Sequence, residues 1–192
     1  MADEQTEWLT TWGGRIMGII GLAFVALVAL AGITGWGGDY HPAAYAVCAL
    51  VAVGLWLTML RPAVGLRPDV LLLRNPLSTI SVPLAAIEQV AVGQFLALLV
   101  GGRRLTSTAV GRGRFAARRD DQLGETSSQR SFGGLVEVRL QHRAADARSA
   151  QGIELRSEEQ EALAAAVRRE PAWLEIGALV ASVVAVVVTF LV

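Results

Sequence analysis

Residues Met17 to Trp36 read MGIIGLAFVALVALAGITGW, twenty consecutive positions without a charge. At about 1.5 Å of rise per residue a helix of this length reaches about 30 Å, the thickness of a bilayer's hydrocarbon core. The stretch therefore predicts a transmembrane helix. A turn, Gly37-Gly38-Asp39-Tyr40-His41-Pro42, leads to a second uncharged run, Ala43 to Leu60 (AAYAVCALVAVGLWLTML), so residues 17–60 read as a membrane hairpin. A third run, Trp173 to Val192, carries only Glu175, in its first turn, where a carboxylate can sit at the membrane interface.

Ala29-Leu30-Ala31 has the small-x-small spacing of a signal-peptide cleavage site. The residues before the apolar run, however, hold Asp3, Glu4 and Glu7 against Arg15 alone, whereas signal peptides begin basic. A retained anchor is the expectation. Arginine placement orients it: Arg15 precedes the first run, the hairpin turn has none, Arg61, Arg67 and Arg74 follow the second, and Arg168 and Arg169 precede the third. Positive charge is held on the cytoplasmic side. The expected topology at the cell membrane therefore places residues 1–16 and the segment between the second and third runs in the cytoplasm, and the C-terminus outside.

Composition agrees with a membrane protein. Of 192 residues 53% are hydrophobic and 18% charged, against about 45–50% and about 25% in soluble domains. All 17 basic side chains are arginine and 17 acids balance them, but residues 61–171 alone hold 16 arginines and 12 acids, so that segment is basic. One cysteine, Cys48, excludes an internal disulfide, and two histidines are too few for a closed zinc site without carboxylates. No G-x-S-x-G, P-loop or zinc-ligand spacing occurs. No catalytic residue, metal or cofactor is therefore nominated, and an enzyme is not expected. Asp39-Tyr40-His41 reads as a turn cap, His142 has no nucleophile beside it, and Cys48 reads as a packing residue. Gly14 and Gly18 form a weak G-x-x-x-G spacing beside the small residues Gly21, Ala31 and Gly32.

Residues 61–170 alternate with period two: Ile80 and Val82; Val90 and Val92; Leu105, Ser107 and Ala109; Val136, Val138 and Leu140; Ile153 and Leu155. Such alternation predicts antiparallel strands with one face on a core. Asn75-Pro76 and Gly101-Gly102 supply turns between runs, the second with two-residue hairpin spacing. Ser157, with Gln160 at capping-box distance, predicts a helix over 157–170 whose Leu163, Ala166 and Val167 share a face. The expected fold class is α+β: a transmembrane hairpin, an antiparallel β-barrel or sandwich capped by a helix, and a third transmembrane helix at 173–192.

Two membrane helices followed by Gly65-Leu66-Arg67-Pro68-Asp69, Val70-Leu71-Leu72-Leu73-Arg74-Asn75, Ile80-Ser81-Val82-Pro83-Leu84-Ala85-Ala86-Ile87 and Gly101-Gly102-Arg103-Arg104-Leu105 resemble the bacterial pleckstrin-homology (PH) family, most closely its small membrane-anchored members from high-GC actinobacterial genomes. The similarity spans roughly residues 60–110. Leu84 stands where the family usually has an aromatic residue, and Gly101 where aspartate is common. The resemblance implies a barrel of about seven strands with a C-terminal helix over 61–170, and a protein-interaction or scaffold role at the cytoplasmic face.

Arg103, Arg104, Arg112, Arg114, Arg118 and Arg119 fall within seventeen residues that contain no acid. Near a membrane, basic side chains attract anionic lipid headgroups at about 1 kcal/mol each; the plainer reading is a solvated, flexible arginine-rich loop at about 111–132 whose charge sets topology. Arg67 and Arg74, near the first strands, complete the candidate lipid-binding set, on the resemblance to PH modules that use basic residues there. Phe115 alone could stack on a base, so no nucleic-acid partner is expected. The partners expected are the membrane, anionic headgroups and an unidentified protein.

Overall fold

A computed structural model describes residues 6–36, 38–113, 115, 116, 118 and 131–191. In chain order its elements are β1 (Glu7–Leu9), α1 (Trp12–Ile33), α2 (Pro42–Leu55), a π-helical turn (Trp56–Leu60), β2 (Ala63–Leu66), β3 (Val70–Arg74), β4 (Ser78–Pro83), a 3-10 turn (Leu84–Ala86), β5 (Ile87–Val92), β6 (Leu96–Val100), β7 (Arg103–Ser107), α3 (Phe132–Gln151), α4 (Glu158–Ala164), β8 (Arg168–Pro171) and α5 (Trp173–Leu191). They fall into two compact units, one of Trp12–Arg61 with the residues from Pro171 onward, the other of the residues up to Thr11 with Pro62–Glu170.

The first unit contains the three helices long and apolar enough to cross a membrane: Trp12–Ile33, Pro42–Leu60 and Trp173–Leu191. Their large apolar side chains point outward, with Phe24, Leu27, Val184 and Phe190 all more than half exposed. A surface of this kind is stable against hydrocarbon and not against water. His41 caps α2, its Nδ1 accepting from the Ala43 N–H at 3.2 Å, and Pro42 occupies the first helical position, where its missing N–H costs no bond. Gly32 lies under the Tyr40 ring so closely that any Cβ would overlap it.

In the second unit, β1-β2-β3-β4-β8 form one antiparallel sheet and β5-β6-β7 the other. Leu71 and Leu73 of β3 and Ile80 and Val82 of β4 face inward, as period two requires. In β5 the inward positions are Ile87, Val90 and Val92, because the pairing with β6 shifts between Ile87 and Gln89 and the extra residue reverses parity. Gly101 and Gly102, at φ +53° and +69°, make the two-residue β6–β7 turn that their spacing predicts. The two sheets and α3 share one core, to which Val64, Leu73, Val82, Val90, Leu98, Val136 and Leu140 contribute. Leu84, in the 3-10 turn before β5, is fully buried in that core.

Four expectations are corrected. The 136–140 alternation is not a strand but part of α3: Val136, Leu140 and Ala144, spaced by four, are buried, while Val138 is half-exposed. Alternation in Val136, Val138 and Leu140 hid a helical face that continues past the run. Ile153 and Leu155 form no strand, and Leu155 is 54% exposed. The helix starting after Ser157 stops at Ala164, and Arg168–Pro171 forms β8 instead of its last turn. The sheets do not close into a barrel. Two further differences lie at the N-terminus, where Glu7–Leu9 pairs with β2 and the first long helix begins at Trp12, five residues before the uncharged run.

Candidate binding surface

The arginines chosen from sequence separate into structural and exposed groups. Arg67, in the β2–β3 turn, donates from Nε to Thr6 Oγ1 at 3.0 Å. The Arg74 guanidinium lies 4.9 Å from the centroid of the Trp8 ring, a cation–π contact. Both therefore hold the N-terminal strand. Arg139 adds a bidentate pair with Glu7, with both N–H···O distances 2.8 Å. Three guanidinium groups thus hold a strand of only three residues, too short for its ladder bonds alone to secure it.

Arg112 is also structural. It forms an ion pair with Glu137 at 3.0 Å, both side chains largely buried, and its Nε donates to the Val92 carbonyl. That carbonyl belongs to a series along the outer edge of β5. Gln141 Nε2 donates to Val90 O at 3.1 Å, and Arg148 Nη1 to Ile87 O at 2.5 Å. Gln160 Nε2 donates to Ala85 O at 3.0 Å and to Ile87 O at 3.3 Å. Side chains of α3 and its neighbours thus take the place of a further strand and block the edge against pairing with another chain. Sequence reading did not single out Gln141 or Arg148 and used Gln160 only as a cap. Their signal is the helical phase of α3, which puts Gln141 and Arg148 seven residues apart on one face.

Arg103 and Arg104, at the β6–β7 hairpin, pair with β6 through their backbones, while their side chains are exposed and make no hydrogen bond or ion pair among the described residues. Arg118 is exposed; Arg114 and Arg119, with most of the proposed 111–132 loop, lie outside the described residues. Among the described members, Arg67, Arg74 and Arg112 are engaged within the α/β unit, while Arg103, Arg104 and Arg118 are exposed.

In the helical unit, Arg61 closes the π-helical turn, its N–H donating to Trp56 O at 2.9 Å. Its Nε donates to Glu175 Oε1 at 2.7 Å, with the arginine side chain 7% exposed. The carboxylate noted in sequence is thus paired with the arginine that ends the second span. Among the described residues no group of three or more His, Cys, Asp or Glu side chains is arranged to hold a metal ion.

No family model matches the chain, and no curated protein or solved structure matches it at a significant level.

Proposed function

We propose that this chain is a non-enzymatic, multi-pass membrane protein whose α/β unit is a PH-like module that recruits a protein partner at the cytoplasmic face. The observation carrying the reading is how the module is tethered: the links between its strands and the three long helices are two, two and one residues, namely Thr10-Thr11, Arg61-Pro62 and Ala172. A folded unit joined three times through such short links is confined to the membrane surface, which suits local recruitment better than long-range reach. The arginine distribution favours the cytoplasmic side. Support for the PH-like identity comes from an antiparallel sheet containing β2-β3-β4, a second meander β5-β6-β7, and then a long helix on their common core.

Photo-crosslinking amino acids placed one at a time at exposed Phe95, Arg104 and Leu155 of the full chain test this in cells. Position-dependent crosslinks to the same protein are expected, and absence of any crosslink above background at all three would overturn the reading. In a C48A background, Asp39→Cys should react with an impermeant maleimide from outside and Arg103→Cys only after permeabilisation. A second reading, binding to anionic headgroups, is favoured by the unengaged Arg103–Arg104 pair. Vesicle co-flotation should then strengthen with phosphatidylglycerol and weaken in R103E/R104E, and no dependence on lipid charge would remove it.

A further inference from the structure

A cleft of about 390 Å³ lies within the α/β unit where the β3–β4 turn meets β7, and Arg169 of β8 lines it. Its volume is in the range of about 300–1,000 Å³ that small-molecule sites occupy. Asn75 Nδ2 donates to Thr106 O at 3.0 Å and ties one sheet to the other at this point. The framework of the cleft is therefore set before any ligand arrives.

Its chemistry is one-sided. The lining has no acid, and it combines Arg169 with the hydroxyls of Ser78, Thr106, Ser107 and Thr108. Arg169 Nε donates to Ser78 Oγ at 3.2 Å, which orients the guanidinium and uses one of its five N–H groups. Ser78 is thereby an acceptor. Ser107 Oγ likewise accepts, from the Ala109 N–H at 3.4 Å, and both serines are buried. Each keeps an O–H to donate, and the four remaining guanidinium N–H groups have no partner among the described residues. Beside these donors stand two exposed apolar side chains, Leu77 and Phe95, 41% and 52% accessible.

We infer that this cleft binds a small monocarboxylate bearing an aromatic or branched apolar group. The carboxylate lies against the Arg169 fork and the serine hydroxyls, and the apolar group against Leu77 and Phe95. A planar guanidinium matches a carboxylate through two parallel N–H···O bonds, and the surrounding hydroxyls are donors that a neutral amide cannot use equally. The inference is independent of whether the module recruits a protein.

The test uses the full chain in phosphatidylcholine nanodiscs, titrated with 4-fluorophenylacetate and followed by fluorine NMR. Saturable binding is expected, at least tenfold tighter than for 4-fluorophenylacetamide, with at least a tenfold loss in R169Q and partial recovery in R169K. Thr108→Glu, at an exposed position, places a carboxylate at the rim and should abolish binding, so the test stands even if R169Q does not fold. F95A should weaken the probe severalfold. Equal binding of acid and amide, binding unchanged by T108E, no saturable binding, or tighter binding of inorganic phosphate than of the carboxylate would each overturn the assignment.

Discussion

Arginine is the only cation this protein uses, and its value depends on what surrounds each guanidinium. Arg112, held between Glu137 and the Val92 carbonyl, fills a largely buried position where removing one partner strands the other. Such losses cost about 3–5 kcal/mol for fully buried pairs. R112A should therefore lower the stability of the α/β unit by about 2–4 kcal/mol in denaturant titrations of the detergent-solubilised chain, whereas R103A, at an exposed position, should change it by less than about 0.5 kcal/mol. Gln160 is a second test at this scale. Its side chain is 1% exposed; its Oε1 accepts from the Arg156 N–H at 2.6 Å, and its Nε2 serves two carbonyls of the chain entering β5. Arg156 is the one non-glycine residue with positive φ among the described residues, at +63°. Q160A leaves buried carbonyls without a donor and releases that strained residue, with an expected cost of about 2–3 kcal/mol by the same titration. Ser157 and Gln160 were legible as a cap, and Ser157 Oγ does accept from Gln160 N at 3.3 Å. The second half of the motif was not legible, because a long amide goes to whichever buried carbonyls the tertiary fold leaves unpaired.

At the scale of elements, α3 shows how a pattern can mislead. Three apolar residues at alternate positions satisfy a strand of five residues, but over twenty residues the buried set Gly133, Val136, Leu140 and Ala144 repeats with the period of a helix. Signals at its two ends were present in the sequence. Ser131 caps the start by accepting from the Gly134 N–H at 3.2 Å, and Gly152, at φ +67°, ends it in the left-handed conformation. The helix and strand assignments differ in one measurable way. Leu140→Ala should cost about 2–5 kcal/mol in thermal or denaturant unfolding. Val138→Thr, which a strand would place as deep in the core as Val136 and Leu140, should cost less than about 1 kcal/mol. S131A should remove about 1 kcal/mol through the lost cap. The hairpins, by contrast, were readable as they stand, because Asn75-Pro76 and Gly101-Gly102 set their turns through local backbone sterics.

At the scale of the whole molecule, two compact units share one chain, and the hydrophobic core lies in the α/β unit. Mutations confined to each should act independently when their contacts are not shared. R61A breaks the 2.7 Å pair between Arg61 and Glu175 within the helical unit. We expect it to reduce resistance of that unit to unfolding by SDS while leaving the denaturant midpoint of the α/β unit unchanged, and R112A to do the reverse; a common shift in both would contradict the division. By itself the sequence determined the three long apolar helices, the β-rich segment between them and its tight turns, since each follows from local composition, period or backbone sterics. Contacts between distant parts of the chain were needed to show that Glu7–Leu9 joins a sheet, that α3 covers the β5 edge, and that three of the chosen arginines, Arg67, Arg74 and Arg112, serve the fold. Those outcomes depend on partners tens of residues away: the β2 edge needs a pairing strand, the β5 carbonyls need donors, and guanidinium groups carry several N–H groups to meet such needs.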